Sequence, residues 1–190
     1  MDFDRIYTLG PEGSCHQNAA RAYLDHFGIQ AEICLVPDIF EGAEAVLKDK
    51  GPSALIQCSA HLTVHLVTEK FLGRLHVNDT FIYPTQPMAL LKRRDVAQPR
   101  SLGIPEPAMG YITPEDWEEI VFESTKPVVT TNLLAGKYDA GFAYVRDAAN
   151  HPETLEICET VGEVVTTWIV YAKAPRFAGK LISTTREDQK

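Results

Sequence analysis

Five residues near the N-terminus, Gly10-Pro11-Glu12-Gly13-Ser14, separate a short apolar run from a segment with helical spacing. A loop in that place aims backbone N–H groups of Gly13 and Ser14 beyond the helix start. The helix dipole adds positive potential there, which suits a carboxylate or phosphate. Gly-Pro turns also serve as plain structural turns, so the loop alone assigns no ligand. His16, just inside the helix, and His61, after a later strand, are candidate acid–base groups because imidazole exchanges protons near neutral pH. Each has an ordinary reading as a hydrogen-bonded residue. His61 and His65 stand four apart with Cys58 one turn earlier, a spacing that two zinc ligands on a helix would use. The sequence positions no third strong ligand, and no metal is assigned. Trp168 can pack a core while offering one face to a ring, and Asp139 reads as the brace of a strand turn.

These groups need elements to place them. Residues 5–10 read as a strand, and Ser14 caps a helix over 15–27 that Gly28 closes. A strand over 31–36 follows, then a helix capped by Asp38 with Ile39, Ala43, Val46 and Leu47 at helical spacing up to Lys50. Residues 53–56 read as a buried strand and 63–72 as a helix ended by Gly73. The stretch 75–91 is β-rich but broken by Pro84 and Pro87, which marks a bend or a passage between lobes. The pattern then restarts with a strand at 101–104, a helix capped by Thr113 with Pro114 first, strands at 120–122 and 128–130, and a short helix at 132–137. Gly141, in a strand over 139–145, would let a backbone or ligand approach closely. Residues 164–172 form the last strand, and 176–190 a polar, disordered end. Alternating strands and helices predict βαβ units and a largely parallel sheet.

The 190 residues are 45% hydrophobic and 23% charged, ordinary globular usage. A net charge of −8 repels nucleic acid and anionic membranes. The basic run Lys92-Arg93-Arg94 reads as a solvated strand end. No apolar run approaches the ~18 residues of a membrane span, and no basic segment precedes an apolar one at the start, so the expected location is cytoplasmic. Cys15, Cys34, Cys58 and Cys158 lack Cys-x-x-Cys spacing and suit free thiols in a reducing compartment.

Three segments resemble a family. Leu9-Gly10-Pro11-Glu12-Gly13-Ser14-Cys15-His16-Gln17-Asn18-Ala19-Ala20 resembles the Gly-Pro-x-Gly-Thr-Phe-Ser loop and alanine-rich helix start of prephenate dehydratases. Thr166-Thr167-Trp168 is similar to their Thr-Arg-Phe strand. Ala54-Leu55-Ile56-Gln57-Cys58-Ser59 stands at their Pro-Ile-Glu-Asn-Ser loop. Related prephenate decarboxylases of antibiotic pathways diverge at that loop and carry Trp where Trp168 stands. The resemblance implies an α/β, two-lobed fold of the type II periplasmic-binding-protein kind with a ligand cleft. The first lobe would hold 1–76 with 168–190 and the second 77–167, with no regulatory domain, no cofactor and a homodimeric state.

On the same footing, Thr166 falls on the family's catalytic threonine and Thr167 on its arginine. His16 and His61 fall in segments that the family places at the cleft. Gly13, Ser14, Cys15, Gln57, Cys58, Ser59, Thr130, Thr131, Asn132, Thr167 and Trp168 would contact substrate. The implied activity is a lyase reaction on prephenate or a similar small cyclic carboxylate. In dehydration an acid such as Thr166 helps a ring hydroxyl leave, whereas in decarboxylation a ring carbon is protonated instead; a positioned acid is worth about 10²–10⁴-fold. Two other readings stay open: a lyase or isomerase for another hydroxylated or amino-substituted aromatic acid, and a non-catalytic domain that holds a small carboxylate.

Overall fold

A computed structural model describes residues 3–177; the stretch 178–190 of the expected disordered end lies outside them. Strand β1 (Arg5–Leu9) leads through the Gly-Pro loop into α1 (Cys15–Phe27). The helix begins where Ser14 Oγ accepts the Gln17 N–H at 3.2 Å and ends at Gly28, whose φ of 63° is left-handed. Its buried face is His16, Ala19, Ala20, Tyr23 and Leu24, so His16 rides in line with the apolar stripe. Strand β2 (Glu32–Val36) precedes α2 (Ile39–Lys48), which starts where Asp38 accepts the Phe40 N–H at 2.7 Å. Strand β3 (Ser53–Cys58) is buried throughout, and α3 (Val64–Lys70) follows.

Strands β4 (His76–Pro84) and β5 (Met88–Arg93) flank the proline-marked passage. Strand β6 (Ser101–Pro105) precedes two short 3-10 turns, Glu106–Tyr111 and Pro114–Asp116. The second replaces the helix expected after Thr113. Thr113 makes no cap bond, and Glu118 N–H already bonds Arg100 O at 2.9 Å, drawing the chain into β7 (Glu119–Glu123). A larger departure follows, where a strand at 128–130 and a helix at 132–137 were expected and one helix, α4 (Lys126–Leu134), stands instead. Val129 and Leu133 lie on its inner face against Gly141, while Thr131 returns its hydroxyl to the carbonyl four residues back at 3.0 Å. Packing outweighs the β preference of Val-Val-Thr-Thr. Thus α4, rather than a ligand, fills the space beside Gly141. Strand β8 (Ala140–Tyr144), α5 (Val145–Asn150), β9 (Leu155–Gly162) and β10 (Val165–Ala172) complete the chain. Asp139 braces a turn by accepting the N–H groups of Arg100 and Ser101 at 3.0 and 3.3 Å.

The strands form two five-stranded sheets, ordered β2-β1-β3-β10-β4 and β7-β6-β8-β5-β9. Each is mixed rather than largely parallel. The pairs β1–β2, β1–β3, β6–β7 and β6–β8 run parallel, and β10 and β5 pair antiparallel with their neighbours. Each sheet with its helices makes one lobe of an α/β, two-lobed fold. The expected lobe limits at 76/77 and 167/168 fall inside β4 and β10, because β4 stays in the first sheet to Pro84 and β10 enters it at Val165. The two crossings are bonded to each other: Thr85 N–H donates to Val164 O at 2.9 Å and Val164 N–H to Thr85 Oγ1 at 3.0 Å. No helix among the described residues is long and apolar enough to cross a membrane.

In the second lobe Gly103 faces the buried Tyr138 ring, and a Cβ there would overlap it. Tyr138 cannot swing aside without losing its 2.8 Å bond to Val129 O. Gly103→Ala should therefore cost about 3 kcal/mol or more. Urea denaturation checks this; a change under ~1 kcal/mol would show that the lobe absorbs the methyl group.

Candidate ligand site between the lobes

A cavity of about 140 Å³ lies where the lobes meet, walled by Leu9, Met88, Pro105, Pro107, Ala108, Tyr111 and Trp168 among others. Its polar lining comes from loops and element ends that the fold delivers to one place. From the first lobe come Ser14, Cys15 and His16 at the start of α1, Cys58 at the end of β3, and His61. From β10 come Thr166 and Trp168, which share a face because side chains alternate along a strand. The second lobe gives Ser124, Thr125 and Lys126 at the start of α4, and Tyr144.

Lys126 is the single charged side chain among the described residues that line the cavity. Burial pushes its pKa below the ordinary lysine value. The groups that partly restore it are the thiols of Cys15 and Cys58, not a carboxylate. The adjoining helix start is uncapped: Thr125 makes no side-chain cap bond, and its Oγ1, in a residue 9% exposed, has no partner among the described residues. A half-buried ammonium, an unsatisfied hydroxyl and an open helix N-terminus converge on one wall, a set of donors that an oxyanion completes.

The histidines present the opposite character. His16 accepts the Cys58 N–H on Nε2 at 3.4 Å and packs edge-on to Trp168 and His61, with ring centroids 5.2 and 5.9 Å away. Burial first, then His61 and Lys126, lower its pKa from 6.5 to about 3, so it is neutral at neutral pH. Burial also lowers His61, against a partial offset from Asp38. Thr166 Oγ1 lies 3.9 Å from Cys58 Sγ, whose thiol burial keeps protonated. Trp168 is anchored by its Nε1–H to Tyr83 O at 3.1 Å and stacks on Phe81.

The lobes are clasped at the 10–14 loop. Tyr144 O–H accepts the Cys15 N–H at 3.0 Å and donates to Cys15 Sγ at 3.1 Å. Gln86 and Arg146 both donate to Gly13 O, at 2.9 and 2.6 Å, and Arg146 also bonds Gln86 Oε1. The loop's N–H groups are therefore not aimed at an anion as expected: Gly13 N–H donates to Gln17 Oε1 at 2.7 Å and Ser14 N–H to Pro11 O at 3.2 Å.

Of the residues named from the sequence, Ser14, Cys15, His16, Cys58, His61, Thr166 and Trp168 meet at the cavity, and the others lie elsewhere. Gly13 is part of the clasp. Gln57 is wholly buried and donates to Thr63 Oγ1. Ser59 bonds Thr167 on the face of β10 away from Trp168. Thr130 donates to Asp147 at 2.7 Å, Thr131 to its own helix, and Asn132 to Glu123 at 2.7 Å, so none of the three reaches the cavity. His61 precedes α3 and shares no helix face with His65, which pairs with Glu69 instead. Lys126, Thr125 and Tyr144 were missed. Their available signal was Thr125-Lys126-Pro127, a cap-type residue with proline in the first turn, which the β-branched run behind it masked.

No family model matches the sequence, and no curated protein does. Solved structures do match, and they define the class as the two-lobed, periplasmic-binding-protein-like α/β fold. The prephenate dehydratase of Arthrobacter aurescens, in complex with L-Phe, is 16% identical with a TM-score of 0.64 over 93% of this chain. This chain spans 63% of that protein's length. The Staphylococcus aureus prephenate dehydratase gives 17% and 0.60, covering 92% of this chain and 68% of its own. The periplasmic VFT2 domain of Bordetella pertussis BvgS gives 14% and 0.56, over 90% and 80%. At these identities the likeness is one of fold.

A histidine that stays neutral when folded destabilises the protein in acid. Between 6.5 and about 3 the unfolded chain takes up a proton at His16 that the folded chain refuses. Stability should therefore fall with falling pH by up to about 1.4 kcal/mol per unit from this group. His16→Gln, which keeps an acceptor for Cys58 N–H, should remove that component. Equal slopes for variant and wild type in urea titrations across this range would refute it.

Proposed function

We propose that the protein is a lyase of the prephenate-dehydratase type whose substrate is a small cyclic acid with one carboxylate, rather than prephenate itself. The observation that carries this reading is Lys126, a half-buried cation with no carboxylate beside it among the described residues, next to the unpartnered Thr125 hydroxyl. One ammonium neutralises one carboxylate. Prephenate has two, and with no arginine in the lining and His16 held neutral its second charge would enter the cavity uncompensated. Size agrees: about 140 Å³ accommodates one six-membered ring, since a cavity of ~150 Å³ accepts benzene.

The carboxylate sits at Thr125 and Lys126, and the ring lies against Trp168, Met88 and Tyr111. A cation on the carboxylate stabilises it more in the ground state than in a transition state that draws its charge into the ring, so this wall anchors the group and opposes its loss as CO2. Chemistry then belongs at the far end of the ring, where Thr166, His16 and His61 stand. Dehydration fits: a ring hydroxyl leaves with a proton supplied from this side, a ring C–H proton is released, and water and an aromatic acid result. Cys58 and Trp168 shape that end, and the 10–14 loop holds the lobes closed over it.

Benzoate should raise the melting temperature of the full chain. Lys126→Met should weaken benzoate binding about 10–100-fold while leaving the fold intact or more stable, since it removes a half-buried charge that has no carboxylate partner among the described residues. Hydroxylated cyclohexadiene carboxylates and prephenate would be followed by ultraviolet absorbance and mass. Turnover of the monocarboxylates with prephenate unchanged is the expected result. Rapid turnover of prephenate, or indifference to every carboxylate, would overturn the reading, and a carboxylate held but recovered unchanged would make this a binding domain instead.

A further inference from the structure

His61 is held from behind by two residues that do not themselves line the cavity. Gln57 Nε2 donates to Thr63 Oγ1 at 3.1 Å, Thr63 Oγ1 lies 2.8 Å from His61 Nδ1, and the Thr63 backbone N–H donates to the same nitrogen at 3.3 Å. A backbone N–H can only donate, so Nδ1 is an acceptor and carries no proton. That settles the direction of the whole chain. The Gln57 amide donates to the Thr63 oxygen, the Thr63 hydroxyl donates to Nδ1, and the ring proton resides on Nε2.

Gln57 supports this direction at some cost. It is wholly buried, and its Oε1 has no partner among the described residues. A reversed amide would offer Thr63 an acceptor and draw the hydroxyl proton away from Nδ1. The Thr63 N–H, fixed by the turn before α3, would still face that nitrogen. A side chain on a fully buried strand is thus kept half-satisfied with its amide hydrogen toward the histidine.

We infer that Gln57 and Thr63 are positioning residues that lock His61 as its Nε2–H tautomer, making it a neutral hydrogen-bond donor to an oxygen substituent on the bound ring. Nδ1 is occupied on the protein side and His61 lines the cavity, so Nε2–H is the ring's one remaining polar group. It stands on the first lobe, whereas Lys126 stands on the second, so the two meet different parts of a ligand between them. A donor there selects a hydroxyl or carbonyl oxygen over an amino group, whose hydrogens would oppose it. This deepens the carboxylate reading and rests on it for the identity of the ring.

The test has two independent parts on the full chain. Nitrogen-15 spectra of histidine-labelled, ligand-free protein report which ring nitrogen is protonated: His61 should show Nε2–H, Thr63→Ser should keep it, and Thr63→Val, which loses the hydroxyl but keeps the backbone N–H, should shift part of the population to Nδ1–H. In calorimetry a hydroxybenzoate should bind about ten-fold more tightly than both benzoate and the matching aminobenzoate, with the advantage reduced in Thr63→Val and lost in His61→Phe. Protonation on Nδ1, or a Thr63→Val tautomer identical to wild type, would overturn the positioning role. Hydroxybenzoates binding no better than benzoate would overturn the donor role. Failure of benzoate to bind at all strikes the carboxylate reading instead, and the ligand-free spectra distinguish the two.

Discussion

A lysine ammonium half-buried between two lobes, without a counter-ion among the described residues, is the constraint around which this molecule is arranged. Removing such a charge from water is expensive, and proteins ordinarily offset it with a carboxylate. Here Lys126 meets the sulfurs of Cys15 and Cys58 and two aromatic faces, with Phe142 and Tyr144 rings each 5.8 Å from its Nζ. Everything else at the cavity respects that charge. The imidazoles are neutral, Cys58 and Tyr144 are pushed further from ionising by burial, and the helix start beside Lys126 is left open. Negative charge is absent from the lining, so the site is unsatisfied until an anion arrives.

The fold's task is to bring that cation to groups far away in sequence. Helix α1 carries His16 to the cavity on its apolar stripe, and the alternation of β10 turns Thr166 and Trp168 inward while Thr167 turns out. The second lobe contributes polar groups from the first turn of α4 and the end of β8, and an apolar wall from Met88 and the segment 105–111. Because the lobes join through two mutually bonded crossings, the groups on either side keep one common axis of approach.

The first lobe was largely legible because each element carries its own punctuation: Ser14 and Gly28 around α1, Asp38 before α2, Gly73 after α3. The second lobe was less so. Its decisive element, α4, is written in residues that favour strands and becomes a helix through the packing of Val129 and Leu133 on Gly141. That misreading hid Lys126 and sent attention to Thr130, Thr131 and Asn132, which face other partners. The segments that resemble prephenate dehydratases supplied most of the polar residues on the first-lobe side of the cavity, yet the loop that looked ready for an anion has its amides engaged at home. Anion-binding capacity there depends on where each N–H points, and spacing does not encode that.

The clasp at Gly13 and Cys15 has a consequence for time rather than for affinity. Tyr144, Gln86 and Arg146 all grip one loop of the facing lobe, and any exchange that needs the lobes to part must first release them together. For such an exchange their release adds the same increment to the barrier for every occupant, whatever its fit.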